Sequence, residues 1–245
     1  YGMISYQTAY LKAHYAIYFL VAALNLDISD HDKIALFLDD ALKQGINVVA
    51  VDINTSEGYF VVKENSILIG LCALKAVTPT FGEQVAAERR VGGKFSSVVD
   101  FVERIPHKLM NKKSLESLVK AGCFDLLHPN RRQILDSLER LLSHAQSYQQ
   151  GQESNQLSLL GGLSCEEVLL KLDADFNYLE KADLEFSTLG YFVRFHPVNF
   201  YKDILAEHKI INSKDFVKLK DGSHQVKIAA VIQKKDTRIS SRGRY

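Results

Sequence analysis

Few residues of this 245-residue chain have the types and spacing of a catalytic or metal site. Asp173 and Asp175 form a D-x-D pair, a spacing with which two carboxylates can hold metal ions. The pair lies in an acidic connector between helical stretches, and we do not assign a metal site to it. Asp39 and Asp40 are neighbours in a helical pattern, where adjacent side chains point in different directions, so we interpret them as solvated residues. His196 has no second histidine near it in sequence, which favours a structural role.

A second unusual stretch is an apolar pentapeptide in a polar, glycine-flanked connector. Its residues are Gln156, Leu157, Ser158, Leu159 and Leu160. Leucines in a linker are a liability unless the protein's own surface or a partner covers them. We expect a partner to cover this stretch, with docking on the chain's own surface as the alternative.

Charge is unevenly distributed although the net charge is only +1. Residues 88–132 contain ten Lys/Arg against five Asp/Glu, residues 152–190 two against eight, and residues 202–245 eleven against five. Basic zones attract phosphate backbones without reading base sequence. Lysines that only keep helix faces soluble are the alternative interpretation.

Composition points to a globular chain that works in a reducing compartment. Hydrophobic residues make up 47% of the sequence, enough to fill real cores. Cys72, Cys123 and Cys165 are odd in number and widely spaced, which argues against a disulfide framework and a zinc site. The apolar run at 17–26 is too short to span a bilayer. We therefore predict a cytoplasmic protein without membrane contact, whose N-terminus is a cut inside a longer polypeptide.

The elements that must position these residues are mostly helical. Apolar spacing predicts one helix over 4–26, a second that is capped by Ser29 or Asp30 and ends at Gly45, and a short helix after Ser97. Asn130 opens a long helix that fades into a polar linker at 146–152. β-Branched runs predict strands at 46–51, 59–63 and 67–70, with a turn at 65–66, and a further β-run at 226–233. The predicted fold class is mainly α with a small β element (α+β).

Several segments resemble one family, the alpha subunit of bacterial DNA polymerase III, a C-family replicative DNA polymerase. Residues 6–15 (Y-Q-T-A-Y-L-K-A-H-Y) are similar to the end of its fingers domain, and residues 52–54 to its D-I-N segment. Residues 111–125 closely resemble its L-N-R-R-x-L-E-x-L-I-x-A-G-A-F-D run. Glu185 and residues 189–197 resemble its E-x-x-x-L-G-x-y-x-x-x-H-P element.

Residues 67–92 resemble the helix-hairpin-helix of that family, where glycines let two backbone amides approach a phosphate. Here Ala76 and Thr78 stand in place of the two glycines, and Pro79 has no N–H to donate. We expect the hairpin fold to be kept and its phosphate binding to be weakened. Lys75, Thr78 and Thr80 remain candidate DNA contacts.

Lys112 and Lys113 are two further DNA-binding candidates. They stand near a predicted helix N-terminus, where a positive side chain opposes the helix dipole. A residue type that costs helix stability at its position is a plausible phosphate contact. Solvated lysines are the alternative.

The resemblance also implies a domain order and a set of partners. It implies the end of the fingers over 1–28, a clamp-binding domain over 29–205 with a flexible loop at 146–163, and the start of a truncated OB-fold over 206–245. Bacterial proteins that bind the sliding clamp carry peptides of the form Q-L-S/D-L-F/L. By that likeness Gln156 would hydrogen-bond at the rim of the clamp pocket, and Leu159 and Leu160 would enter it.

The implied function is part of template-directed DNA synthesis. This segment would tether the polymerase to the clamp and contact double-stranded and single-stranded DNA beside other replisome subunits. We predict no catalytic residue, metal or cofactor in it, because the Mg²⁺-binding palm aspartates of the family lie upstream of the segments matched here. A non-catalytic DNA-binding or scaffold module and a damage-bypass polymerase paralogue are the alternatives.

Overall fold

Helices and one three-stranded sheet make up the computed structural model, which describes residues 1–153, 168–170, 174–211, 222 and 225–232. The helices are α1 Gly2–His14, α2 Ala16–Leu26, α3 His31–Lys43, α4 Pro79–Gly92, α5 Val98–Arg104, α6 Lys112–Lys120, α7 Arg131–Asp136, α8 Leu138–Glu153, α9 Tyr178–Leu189, α10 Pro197–Phe200 and α11 Lys202–Glu207. The strands are β1 Asn47–Val49, β2 Val61–Lys63 and β3 Ser66–Leu68, and a 3-10 turn spans Leu71–Ala73. The predicted class, mainly α with a small β element, is confirmed.

The chain divides into two compact units, Tyr1–Arg194 and Phe195–Tyr245. All three strands and helices α1–α9 belong to the first unit. The domain boundaries predicted at 28 and 205 stay sequence-based predictions. No helix in the described part of the chain is both long and apolar enough to cross a membrane.

The sheet has strand order β1-β3-β2. β3 pairs parallel with β1, Asn47 opposite Ser66, and antiparallel with β2. Glu64 and Asn65 have φ values of 50° and 60°, the left-handed conformation that a two-residue hairpin turn with right-handed twist requires. The turn therefore lies one residue before the predicted position.

The first predicted helix is two helices. Tyr15, with φ −134° and ψ 45°, separates α1 from α2. α2 buries Ile17, Leu20 and Leu24, whereas α1 buries none of its residues. The prediction of one continuous apolar face over 4–26 is wrong, because the break gives the two halves separate axes and only α2 faces the core.

The long helix predicted from Asn130 is also broken, at Ser137 between α7 and α8. The Ser137 hydroxyl donates to the Gln133 carbonyl at 2.7 Å and accepts from the Leu170 N–H at 2.8 Å, so it competes with the helical ladder. α8 then continues to Glu153, so residues 146–153 do not form part of a loop. Gln149 helps to hold this stretch, since its amide donates to the Ile105 carbonyl at 2.8 Å.

Aromatic packing and paired asparagines organise the core. Phe101 contacts Phe95 and Phe124 edge to face, each at 5.1 Å between ring centroids. The Asn54 side chain donates to the Phe95 carbonyl and accepts from its N–H, as one strand residue pairs with another. Asn25 pairs with the backbone of Phe60 in the same way. Two side-chain amides thus satisfy buried backbone groups that the short strands do not reach.

Candidate nucleic-acid interface

The hairpin between the 3-10 turn and α4 keeps a glycine-like backbone without the glycines. Ala76 has φ 64°, in the left-handed region that a side chain disfavours. Thr78 is the N-cap of α4, and its hydroxyl accepts from the Phe81 N–H at 3.3 Å. Pro79 occupies the first helical turn, where proline is tolerated because no N–H is needed there.

This arrangement reduces the number of amides available to a phosphate. Pro79 has none, the Phe81 N–H is taken by the Thr78 side chain, and the Gly82 N–H bonds the Thr78 carbonyl at 2.9 Å. The Thr80 N–H is the first-turn amide that is neither missing, as in Pro79, nor bonded to Thr78. Thr78 and Thr80 are both exposed residues, and the Thr78 hydroxyl is the one that caps α4. Weakened phosphate binding stays a prediction, and this geometry supplies its physical reason.

Lys75 is attached to the C-terminus of α9. Its ammonium donates to the Ser187 carbonyl at 2.8 Å, and its backbone N–H donates to the Thr188 carbonyl at 3.0 Å. His31 Nδ1 lies 3.2 Å from the Leu189 carbonyl oxygen at the same helix end. A cation there is favourable because the helix dipole is negative at its C-terminus. Burial lowers the pKa of His31, and the nearby Lys75 charge lowers it further.

Lys112 and Lys113 occupy the start of α6, as predicted. Asn111 and Ser114 form a capping box that satisfies the first amides of this helix. Lys112 forms an exposed ion pair with Glu139 at 2.7 Å, which raises the pKa of the lysine and lowers that of the glutamate. Lys113 is exposed and forms no ion pair with a residue that the structure describes.

A buried ion pair, which the sequence did not reveal, joins the end of the run 111–125 to α7. Arg131 is 1% exposed and donates to both carboxylate oxygens of Asp125, at 2.8 and 2.6 Å, and to the Lys120 carbonyl at 2.8 Å. Gly122 has φ 79°, and a Cβ there would lie 2.1 Å from the guanidinium. The A-G-C-F-D run therefore supplies the turn and the space for Arg131.

A second buried carboxylate holds the segment after α9. Glu185 is 2% exposed and accepts from the N–H groups of Val193 and Arg194 at 3.1 Å. The Arg194 guanidinium in turn donates to the carbonyls of Val51 at 2.6 Å and Ala121 at 3.0 Å. The E-x-x-x-L-G element thus has a structural role in the first unit.

The residues that suggested metal chemistry have protein partners where they are described. Asp175 accepts from the Arg132 N–H at 3.2 Å and pairs with Lys181 at 2.5 Å, and Asp173 lies outside the described residues. Within the described ranges, no group of His, Cys, Asp and Glu is arranged to hold a metal ion. His196 Nδ1 accepts from the Val198 N–H at 3.2 Å as the N-cap of α10, so its structural role is confirmed.

Two predicted features fall wholly or partly outside the described residues. The pentapeptide Gln156, Leu157, Ser158, Leu159 and Leu160 lies outside them. Of the β-run predicted at 226–233, residues 226–232 are described and form no strand. In that part the Ile211 N–H donates to the Lys227 carbonyl at 3.0 Å.

A comparison with protein-family models classifies the hairpin and the elements around it. Residues 45–134 match a family model described as "Helix-hairpin-helix motif", which covers the sheet, the hairpin and helices α4–α6. Buried partners such as Asp125–Arg131 hold these elements in place. This part of the chain is therefore a helix-hairpin-helix module.

Similar curated proteins identify the family of the whole chain. The chain is 46% identical over 274 residues to "DNA polymerase III subunit alpha" of Rickettsia bellii, with 100% of this chain and 23% of the relative covered. The same protein of Rickettsia conorii is 42% identical over 285 residues, covering 100% and 24%, and that of Caulobacter vibrioides is 34% identical over 245 residues, covering 99% and 21%. The chain belongs to the DNA polymerase III alpha-subunit family and spans less than a quarter of these relatives, which confirms the resemblance.

Proposed function

We propose that this segment holds a replicative DNA polymerase on duplex DNA and attaches it to the sliding clamp. The observation that carries the proposal is full-length similarity to one segment of polymerase alpha subunits, with a helix-hairpin-helix module inside it. The whole protein then adds deoxynucleotides at palm aspartates that bind Mg²⁺ upstream of this segment. Other replisome subunits are its further partners, and the cytoplasm is its compartment.

The DNA contact is attributed to the hairpin and to the start of α6. Thr78, Thr80 and Lys113 are exposed, and Lys75 keeps two N–H groups on its ammonium beyond the one that bonds Ser187. A salt titration of binding to a labelled DNA duplex tests this contact. Neutralised phosphates make the logarithm of affinity fall with the logarithm of salt concentration. A flat dependence would rule out a backbone contact by these residues.

The clamp contact is attributed to the pentapeptide and is supported by its sequence. Burying a leucine contributes about 1.5 to 3 kcal/mol, and ordering a peptide opposes this. We expect micromolar affinity, on the order of 8 kcal/mol, which becomes effective when the polymerase is already on DNA.

A fluorescence-anisotropy titration of purified sliding clamp against the 245-residue chain tests the tether. Leu159→Ala and Leu160→Ala should each weaken binding at least tenfold, on the order of 1.4 kcal/mol or more. Leu163→Ala, a leucine outside the pentapeptide, is the matched control and should bind as the unchanged chain does. Equal binding by all four proteins would exclude the pentapeptide as the tether.

Catalysis is attributed to the rest of the polymerase. The 245-residue chain alone should not extend a primer in the presence of Mg²⁺, and extension would refute this assignment.

The substituted hairpin, with Ala76, Thr78 and Pro79, is the observation that favours the alternative of a damage-bypass paralogue or a scaffold module. Palm-type aspartates in the polypeptide that carries this segment would exclude a non-catalytic module.

A further inference from the structure

The acidic residues of the basic zone 88–132 all pair with side chains of the protein itself. The zone contains five of them, and each carboxylate has a cationic or histidine partner. The pairs are Glu88–Arg104, Asp100–Arg104, Glu103–His144, Glu116–Lys120 and Asp125–Arg131. They lie 2.6 to 3.4 Å apart. The local carboxylates are thus committed to these contacts.

Most of the basic side chains of the zone also form ion pairs. Seven of the ten form ion pairs, namely Arg89, Arg90, Arg104, Lys112, Lys120, Arg131 and Arg132. Several partners come from outside the zone, since Arg89 and Arg90 share Glu57 and Lys112 uses Glu139. All five arginines of the zone are among the seven.

Three lysines remain. Lys94, Lys108 and Lys113 are exposed, and none forms an ion pair or a hydrogen bond from its ammonium group to any residue that the structure describes. A paired cation must give up or share its carboxylate before it can neutralise a phosphate. An unpaired lysine can neutralise a phosphate, and so release a cation condensed on the DNA, without breaking a contact of its own.

The fold places Lys94 beside the C-terminal end of α5, and the chain continues from that end to Lys108 and Lys113. The Arg104 guanidinium donates to the Gly93 carbonyl at 3.0 Å, which holds the residue before Lys94 beside that helix end. The same guanidinium lies 4.5 Å above the centre of the Phe95 ring, on the other side of Lys94. Lys108 is the fourth residue after α5, and the chain from Lys108 to Lys113 spans at most about 18 Å even when extended.

We propose that Lys94, Lys108 and Lys113 form the main phosphate-binding patch of the helix-hairpin-helix module. This inference rests on the proposed contact with duplex DNA and states which side chains make it. The patch binds the DNA backbone without reading bases, because lysine ammonium groups on an open surface act as point charges. Lys94 and Lys108 were not among the sequence-based candidates.

The test compares two triple variants of the 245-residue chain that carry the same net charge. The patch variant is Lys94→Ala, Lys108→Ala and Lys113→Ala. The control variant replaces three exposed lysines elsewhere in the first unit, Lys33→Ala, Lys43→Ala and Lys63→Ala. Binding of a short fluorescein-labelled DNA duplex is measured by anisotropy over a range of salt concentrations.

Each phosphate contact contributes about 0.9 to the slope of log affinity against log salt, so the patch variant should lose about 2.7 from that slope. The control variant should keep the slope of the unchanged chain. Equal slopes for the patch variant and the unchanged chain, with measurable binding, would overturn the patch and leave the proposed DNA contact standing. A flat slope for the unchanged chain would overturn both. Far-ultraviolet circular dichroism of each variant shows whether it is folded.

Discussion

Asp125→Asn should destabilise the first unit by about 3 kcal/mol, the lower end of the 3–5 kcal/mol range for breaking a buried ion pair. The change keeps the shape of the side chain. In the unchanged protein one Asp125 carboxylate oxygen accepts from the Arg131 guanidinium at 2.6 Å. The substitution would place an amide NH₂ against that guanidinium. Arg131 is 1% exposed, so water cannot replace the lost charge. The lower end of the range applies because the Asp125 side chain is 24% exposed and the Lys120 carbonyl still accepts from Arg131.

Urea unfolding followed by far-ultraviolet circular dichroism measures this loss. With an m-value of about 3 kcal/mol per molar urea, the midpoint should fall by about 1 M. Asp183→Asn, an exposed acidic residue of α9, is the matched control and should stay within about 0.5 kcal/mol of the unchanged protein. A fall of less than about 0.3 M for Asp125→Asn would refute the role of the buried pair.

Two further variants separate charge from space at the same site. Gly122→Ala should cost at least as much, because its Cβ would lie 2.1 Å from the guanidinium of Arg131 and its φ is 79°. Asp125→Leu combined with Arg131→Met replaces the pair by apolar side chains and should cost much less than Asp125→Asn alone. If the double variant were the less stable of the two, the cost would come from packing and not from an unpaired charge.

Three other predictions concern the hairpin and the end of α9. Ala76→Gly should leave stability unchanged or raise it by up to about 1 kcal/mol. Relief of the left-handed strain outweighs or balances the entropy that glycine adds to the unfolded chain. A lower urea midpoint for the variant would contradict this expectation. Lys75→Met should speed hydrogen exchange at the end of α9 and cost about 0.3 to 1 kcal/mol, because the Ser187 carbonyl loses its cation; unchanged exchange would show that this contact does not cap the helix. His31 has a lowered pKa in the folded state, so the unfolded state binds a proton more readily and stability should fall as pH drops below about 6.5. His31→Gln should flatten that fall in urea midpoints measured from pH 7 down to pH 5, and an unaltered pH dependence would contradict the assignment.

Local sequence signals predicted the ends of several elements correctly. The Asp30 side chain caps α3, and Gly45 follows it with φ 77°. Ser97 caps α5 with its hydroxyl, and α6 begins at Lys112, where a helix N-terminus was predicted. Such signals act within three or four residues, so the chain itself displays them.

Contacts between distant residues could not be predicted in this way. Lys75 and Ser187 are 112 positions apart, and no periodicity in either segment predicts their contact. The break at Ser137 depends partly on Leu170, which bonds its hydroxyl from 33 residues away. For the candidate interface, the sequence showed where basic residues are concentrated. Only the fold shows which of them already have a carboxylate partner.

The basic zone contains buried, paired arginines and exposed lysines that pair with no described residue, and this has a practical consequence. The arginines Arg89 and Arg131 are 9% and 1% exposed in their side chains, so dissolved ions screen their bonds little. Lys94, Lys108 and Lys113 are exposed to the full ionic atmosphere. A rise in ionic strength should therefore strip nucleic acid from the protein while leaving its architecture intact, so that a high-salt wash would yield clean, folded material.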